Sequence, residues 1–106
     1  MARILLNVPK QARRGEAIEI KLLINHPMET GQRRDETGQV VPRNIIKDVA
    51  CTYGGADVVR LELFPAISAN PFLHFAARAE ASGPVVLTWT DDLGAVQTET
   101  VQVEVT

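Results

Sequence analysis

The chain has 106 residues, 45% of them hydrophobic, which suits a single domain over residues 1–106 with one self-sufficient core. A formal net charge of −2 gives no basic surface for nucleic acid and no attraction to an anionic membrane. The lone cysteine, Cys51, excludes an intramolecular disulfide and, taken alone, favours a reducing compartment.

Residues Met1 to Val8 hold one basic residue, and their apolar run ends at Pro9-Lys10, too short for a signal peptide. No stretch approaches the roughly 18 apolar residues of a membrane helix. These features alone predict a soluble, unprocessed chain. A first strand runs from Arg3 to Val8. After a turn over Lys10 to Gly15, Glu16 to Asn25 alternates clearly. Ile18, Ile20, Leu22 and Ile24 share one face and Glu19, Lys21 and Asn25 the other, the pattern of a strand with one buried side. Leu23 falls on the polar face as a candidate exposed apolar residue.

From His26 to Asn44 the alternation stops, and the segment is too polar for core and far longer than the about 2–5 residues of a hairpin turn. Strands resume from Ile45 to Tyr53, with Ile45, Val49, Cys51 and Tyr53 inward. Lys47 breaks that parity and predicts a bulge. Gly54-Gly55 signals a hairpin into the strand Asp57 to Phe64. Pro65 to Pro71 is a loop closed by prolines, which deny it ladder bonds. Phe72 to Glu80 turns Leu73, Phe75, Ala77 and Ala79 inward. Val85, Leu87 and Trp89 then alternate with Thr88 and Thr90, Asp91-Asp92-Leu93-Gly94 turns, and a last strand runs to Val105. Val96 lies off the parity of Val101, Val103 and Val105, which predicts another bulge. Seven strands, no helix and regular turns describe an all-β antiparallel sandwich of immunoglobulin-like architecture.

Chemistry is sparse. His26 and His74 match no zinc or copper spacing, so no metal or other cofactor is expected. His26 before Pro27 reads as a strand-ending residue whose imidazole bonds the loop. Cys51 lies mid-strand with no basic neighbour to activate it, and reads as a small buried hydrophobe. Arg33-Arg34 beside Asp35-Glu36 reads as a self-paired loop tip. Leu23, Met28, Phe64, Ile67 and Phe72 together suggest an apolar patch that takes a partner.

Two runs are more specific: His26-Pro27-Met28-Glu29-Thr30-Gly31-Gln32-Arg33-Arg34-Asp35, and Glu62-Leu63-Phe64-Pro65-Ala66-Ile67-Ser68-Ala69-Asn70-Pro71-Phe72. With Asn7-Val8-Pro9, Arg14-Gly15-Glu16 and Thr88-Trp89-Thr90-Asp91-Asp92, they resemble the Z subunit of the Sox sulfur-oxidation system along essentially the whole chain. The resemblance implies a non-catalytic sandwich that forms a heterodimer with a Y subunit. In that family the Y subunit carries thiosulfate-derived sulfur on a cysteine of a flexible Gly-rich arm. The pair visits the other Sox enzymes in transient contacts. The resemblance also implies a periplasmic destination without a signal of the chain's own, reached by export with the Y subunit.

On this reading the partner-binding residues are His26, Met28, Glu29, Thr30, Arg33, Arg34, Phe64, Pro65, Ile67, Asn70, Pro71 and Phe72, and no residue is catalytic. The isolated subunit is expected to be capable of homodimerising through its sheet edges. Two other readings compete: a generic adhesin-type binding sandwich, and an enzyme that uses Cys51 as sulfur acceptor. The second requires an accessible, low-pKa thiol.

Overall fold

In β3 (Ala17–Asn25) the alternation becomes burial: Ile18, Ile20, Leu22 and Ile24 are at most 1% exposed, while Glu19, Lys21 and Asn25 face solvent. The computed structural model describes residues 3–106 and contains eight strands and no helix among them. The others are β1 (Arg3–Asn7), β2 (Gln11–Ala12), β4 (Ile46–Tyr53), β5 (Ala56–Glu62), β6 (Phe72–Arg78), β7 (Gly83–Asp91) and β8 (Val96–Val105). One sheet has the order β1-β3-β6 and the other β2-β8-β7-β4-β5. All pairs are antiparallel except β2 with β8. The fold is an all-β sandwich.

The inner faces meet in one cluster. Ile18, Ile20, Leu22 and Ile24 come from the small sheet, and Val49, Cys51, Val85, Leu87 and Trp89 from the large one. Burying each large aliphatic or aromatic side chain contributes about 1.5–3 kcal/mol, so this cluster is the main source of stability. Inward positions on β5 and β6, including Leu61, Leu73 and Phe75, are only half-buried, because each of these strands is an open sheet edge.

The eighth strand, β2, is two residues long and pairs Gln11 with Glu104 and Ala12 with Val105. It lies in the segment whose sequence reads as a turn, and two residues are too few to show a period. The register shift between Ile46 and Asp48 sits where Lys47 breaks the pattern. The bulge expected after Val96 does not form. The β7–β8 register is continuous from Thr90↔Val96 to Gly83↔Val103, and Val96 simply faces outward. Gly54 and Gly55 both have positive φ, 59° and 86°, as a tight primed hairpin turn requires.

Chain direction sets where the long loops go. β3 leaves the small sheet at Asn25 and β4 enters the large one at Ile46; β5 leaves the large sheet at Glu62 and β6 re-enters the small one at Phe72. Both crossovers therefore lie at the same end of the sandwich, beside the β7–β8 turn at Asp91.

Candidate functional site

The crossover between β3 and β4 is not slack. Glu29 and Asn44 exchange both backbone hydrogen bonds at 2.8 Å, Val41 N–H donates to Arg33 C=O at 2.8 Å, and Asp35 N–H donates to Gln39 C=O at 2.9 Å. Asp35 Oδ1 closes the tip by accepting from Thr37 N, Thr37 Oγ1 and Gln39 N at 2.9, 2.6 and 3.1 Å. Those bonds, from the Thr37 hydroxyl first, hold the Asp35 carboxyl below its ordinary range. The segment is an irregular two-stranded arm.

Two of the arm's arginines are bonded within it. Arg33 Nη2 donates to Glu29 Oε1 at 2.7 Å, and Nε lies 3.1 Å from each carboxylate oxygen. That guanidinium pulls the Glu29 carboxyl down and is itself pushed up. Arg34 Nη1 donates to Gly38 C=O at 2.8 Å. Arg33 and Arg34 are thus loop braces. Gly31 (φ +86°) is needed here, because a Cβ would sit 3.1 Å from Arg43 Cβ on the opposing strand of the arm.

At the arm's root lies a buried polar cluster. His26 Nδ1 accepts the Met28 N–H at 3.0 Å, which leaves the ring hydrogen on Nε2, 3.2 Å from Asp91 Oδ2. Asp91 Oδ1 also accepts from Leu93 N and Ala95 N, at 3.0 and 2.9 Å, and so shapes the β7–β8 turn. The imidazole stands edge-on to Trp89, with centroids 5.7 Å apart and planes at 82°. Met28 has φ +52°, costly for a non-glycine residue, and is held there by the His26 bond and by its own Sδ, which accepts the Ile46 N–H at 3.2 Å.

The β5–β6 crossover docks onto the same point. Asn70 Oδ1 accepts the His26 N–H at 3.0 Å, while Asn70 N–H donates to His26 C=O at 2.8 Å. A third tie joins the arm to the turn, with Asp92 Oδ2 taking Arg43 Nε at 2.9 Å and Ile45 N–H at 3.1 Å. Arg43 first, then that amide, lowers the Asp92 carboxyl.

The two motif loops are therefore brought together, with three of the twelve side chains expected to bind a partner turned inward. His26 and Met28 are 2% and 4% exposed, and Pro71 is buried. In this conformation they shape the surface from beneath and do not offer side chains to a partner. Ile67 is half-buried against the core, as are Glu29 and Thr30 in the arm. Arg33, Arg34, Pro65, Asn70, Phe64 and Phe72 are exposed, the two phenylalanines at 60% and 61%. Met28 thus leaves the expected apolar patch, and Leu5 joins it. Leu5 pairs with Leu23 and Leu23 with Phe72, which gives a cross-strand apolar row on the outer face of the small sheet. An open cavity of about 320 Å³ lies beside it, lined by Leu5, Leu23, Asn25 and Asn70.

Asp91 and Arg43, central to this end of the molecule, are absent from the residues that the sequence singles out as partner-binding. Asp91 is separated from His26 by 65 positions, and no local pattern links them. Cys51 is fully buried, and burial pushes its thiol up to about 11. Among the described residues, no group of three or more His, Cys, Asp or Glu is placed to hold a metal ion.

The family model described as "Sulphur oxidation protein SoxZ" matches residues 6–102. A search of curated protein sequences finds no match. Among solved structures, the superoxide reductase (neelaredoxin) from Ignicoccus hospitalis superimposes with TM-score 0.72 at 14% identity, over 97% of this chain and 80% of that one. The sulfur carrier protein SoxY from Chlorobium limicola f thiosulfatophilum does so with TM-score 0.67 at 14% identity, over 97% and 78%. At such identities the likeness is one of fold.

Proposed function

The chain belongs to the SoxZ family of sulphur oxidation proteins, and on that premise we propose that it is the non-catalytic subunit of a sulfur-carrier heterodimer. In this reading it scaffolds a Y-type subunit, which bears the sulfur substrate on its own cysteine while the pair visits other Sox enzymes. The family match over residues 6–102 carries the proposal. Two structural observations support the division of labour. The chain's one thiol is fully buried and pushed up to about 11, the opposite of what a sulfur-accepting nucleophile needs. Its two family motifs form one braced, loop-borne surface with exposed Phe64 and Phe72.

The surface proposed to meet the Y subunit comprises the arm from Glu29 to Arg34 together with Phe64, Pro65 and Phe72. Aromatic side chains that stay exposed on an ordered scaffold are efficient interface anchors. The periplasm is the proposed place of work, reached in company with the partner; the family resemblance supports this, and fractionation of cells producing both subunits tests it.

The direct test is co-expression with a Y-type subunit, then size exclusion and intact mass under non-reducing conditions. A one-to-one complex with sulfur-adduct mass confined to the partner is expected. No complex, or an adduct on Cys51, would overturn the reading.

A further inference from the structure

His26 sits where the crossover loops meet, and its four polar atoms are all bonded, to three neighbours. Its backbone N–H and C=O both bond Asn70, at 3.0 and 2.8 Å. Its Nδ1 takes the Met28 N–H at 3.0 Å, and its Nε2 reaches Asp91 Oδ2 at 3.2 Å. The Pro65–Pro71 loop, the arm and the β7–β8 turn are all pinned to this one residue, which is 2% exposed. It cannot touch a docking protein from that position, yet it sets how the loops stand relative to one another.

We propose that His26 and Asn70 form a positioning cluster that sets affinity for the Y-type subunit by holding the motif loops in one fixed arrangement. The inference rests on the carrier-partner reading above and adds the residues that make the surface recognisable. The physical basis is preorganisation: loops ordered before docking lose less conformational freedom on docking. The local backbone fits this role. Met28 and Asn70 adopt φ of +52° and +53°, a region where glycine is the unstrained choice. A corner that only had to turn would be cheaper with glycine. Here the side chains at those positions make the bonds that tie one segment to the next, with Met28 Sδ on the Ile46 N–H and Asn70 Oδ1 on the His26 N–H. Local strain is retained where it fixes longer-range geometry.

Four single variants separate positioning from mere stability. Asn70→Asp keeps the side-chain acceptor and tolerates the left-handed backbone, whereas Asn70→Ala removes the acceptor at an exposed site where folding should survive. His26→Asn retains an acceptor near the Nδ1 position for the Met28 N–H. His26→Gln retains instead a donor near the Nε2 position for Asp91. Each full-length variant is titrated with a purified Y-type subunit, and its melting temperature and the exchange of the Glu29 and Asn44 amides are followed in parallel.

Asn70→Ala and His26→Gln are expected to weaken binding by about tenfold or more and to speed exchange in the arm, the size set by losing one bond that preorganises it. Asn70→Asp and His26→Asn are expected to stay within about threefold of the unsubstituted chain. An Asn70→Ala protein that melts normally and binds as tightly as the original would overturn the proposal. So would affinity losses that follow melting temperature alone, regardless of which bond each variant keeps. If the unsubstituted chain fails to bind any Y-type subunit, the carrier-partner reading falls first, and this inference with it.

Discussion

Asp91 Oδ2 lies 3.2 Å from His26 Nε2, and the pair joins a strand end to a turn 65 positions away beneath a surface that neither residue reaches. Asp91 also receives the Leu93 and Ala95 amides. Asp91→Ala therefore strands the buried imidazole N–H and unties the turn, and should cost about 2–4 kcal/mol, since each orphaned buried donor is worth about 1–3 kcal/mol. Asp91→Asn keeps one acceptor oxygen, enough for the two turn amides, but sets its NH2 group against the imidazole N–H, so it should cost less than Asp91→Ala without being neutral. Urea unfolding followed by Trp89 fluorescence orders the two variants; a loss below about 0.5 kcal/mol in Asp91→Ala would deny Asp91 its role.

Trp89 poses a separate question. It is fully buried, and its Nε1–H has no hydrogen-bond partner. Trp89→Phe removes that donor along with some volume, so the two effects oppose and the net change should stay below about 1.5 kcal/mol. Trp89→Ala leaves only the cavity and should cost about 3–5 kcal/mol. Thermal or denaturant melts, read by far-UV dichroism because the fluorophore is lost, measure both.

Cys51 is expected to resist thiol reagents at pH 8 in the native protein and to react at the free-thiol rate once urea unfolds it. Its folded pKa, about 11, lies above its ordinary value of 9.0. A raised pKa means the folded state holds the proton more tightly. The associated stability is complete below pH 9 and is lost as pH rises from there through about 11. Fast native labelling near pH 8 would revive the sulfur-acceptor reading.

The tie between the arm and the β7–β8 turn should loosen in acid. Arg43 and the Ile45 amide hold the Asp92 carboxyl below its ordinary 3.8. Because the pKa is depressed on folding, the stabilisation is present above that ordinary value and disappears as pH falls through the lower folded one. Exchange of the Ile45 amide, measured relative to core amides as pH drops from 5 towards about 2, should accelerate in the native protein and be insensitive to pH in Asp92→Asn.

The exposed aromatics give a test on the partner side. Phe64→Ser and Phe72→Ser should leave stability within about 0.5 kcal/mol, as surface changes usually do. Each should weaken capture of a Y-type subunit by at least about tenfold if the residue anchors the interface. Unchanged affinity in the double variant would move the interface elsewhere on the sandwich.

Much of this fold was legible because a half-buried strand writes its burial into the chain. Ile18, Ile20, Leu22 and Ile24 announce an inner face, and Lys47 announces the register shift beside it. β2 was hidden because a two-residue parallel pairing has no period of its own. Val96 misled because an exposed valine at a strand start looks like a parity error. At the loop end, the two motifs lie in the two crossovers that meet at His26, and the charges of Arg33 to Glu36 signalled a self-braced loop, although Arg33 pairs with Glu29 and not with Asp35 or Glu36. The motifs did not reveal which residues face inward. Met28 is buried because His26 and Ile46 bind its amide and sulfur, and Asp91 matters because topology carries the β7–β8 turn to the arm's root. Such contacts exist only once both sheets have formed.

The two ends of the sandwich differ in what can be attached to them. Arg3 pairs with Asn25, next to His26, so a fusion on the N-terminal side starts beside the motif loops. The ten-residue β8 carries the chain about 33 Å away from the β7–β8 turn. Just past β8, Thr106 N–H donates to Ala12 C=O at 3.0 Å and Arg14 N–H donates to Thr106 C=O at 3.1 Å. Affinity handles, fluorophores and surface-immobilisation chemistry attached after β8 therefore leave the loop end free for capture experiments; the same labels attached ahead of β1 sit beside the surface under test.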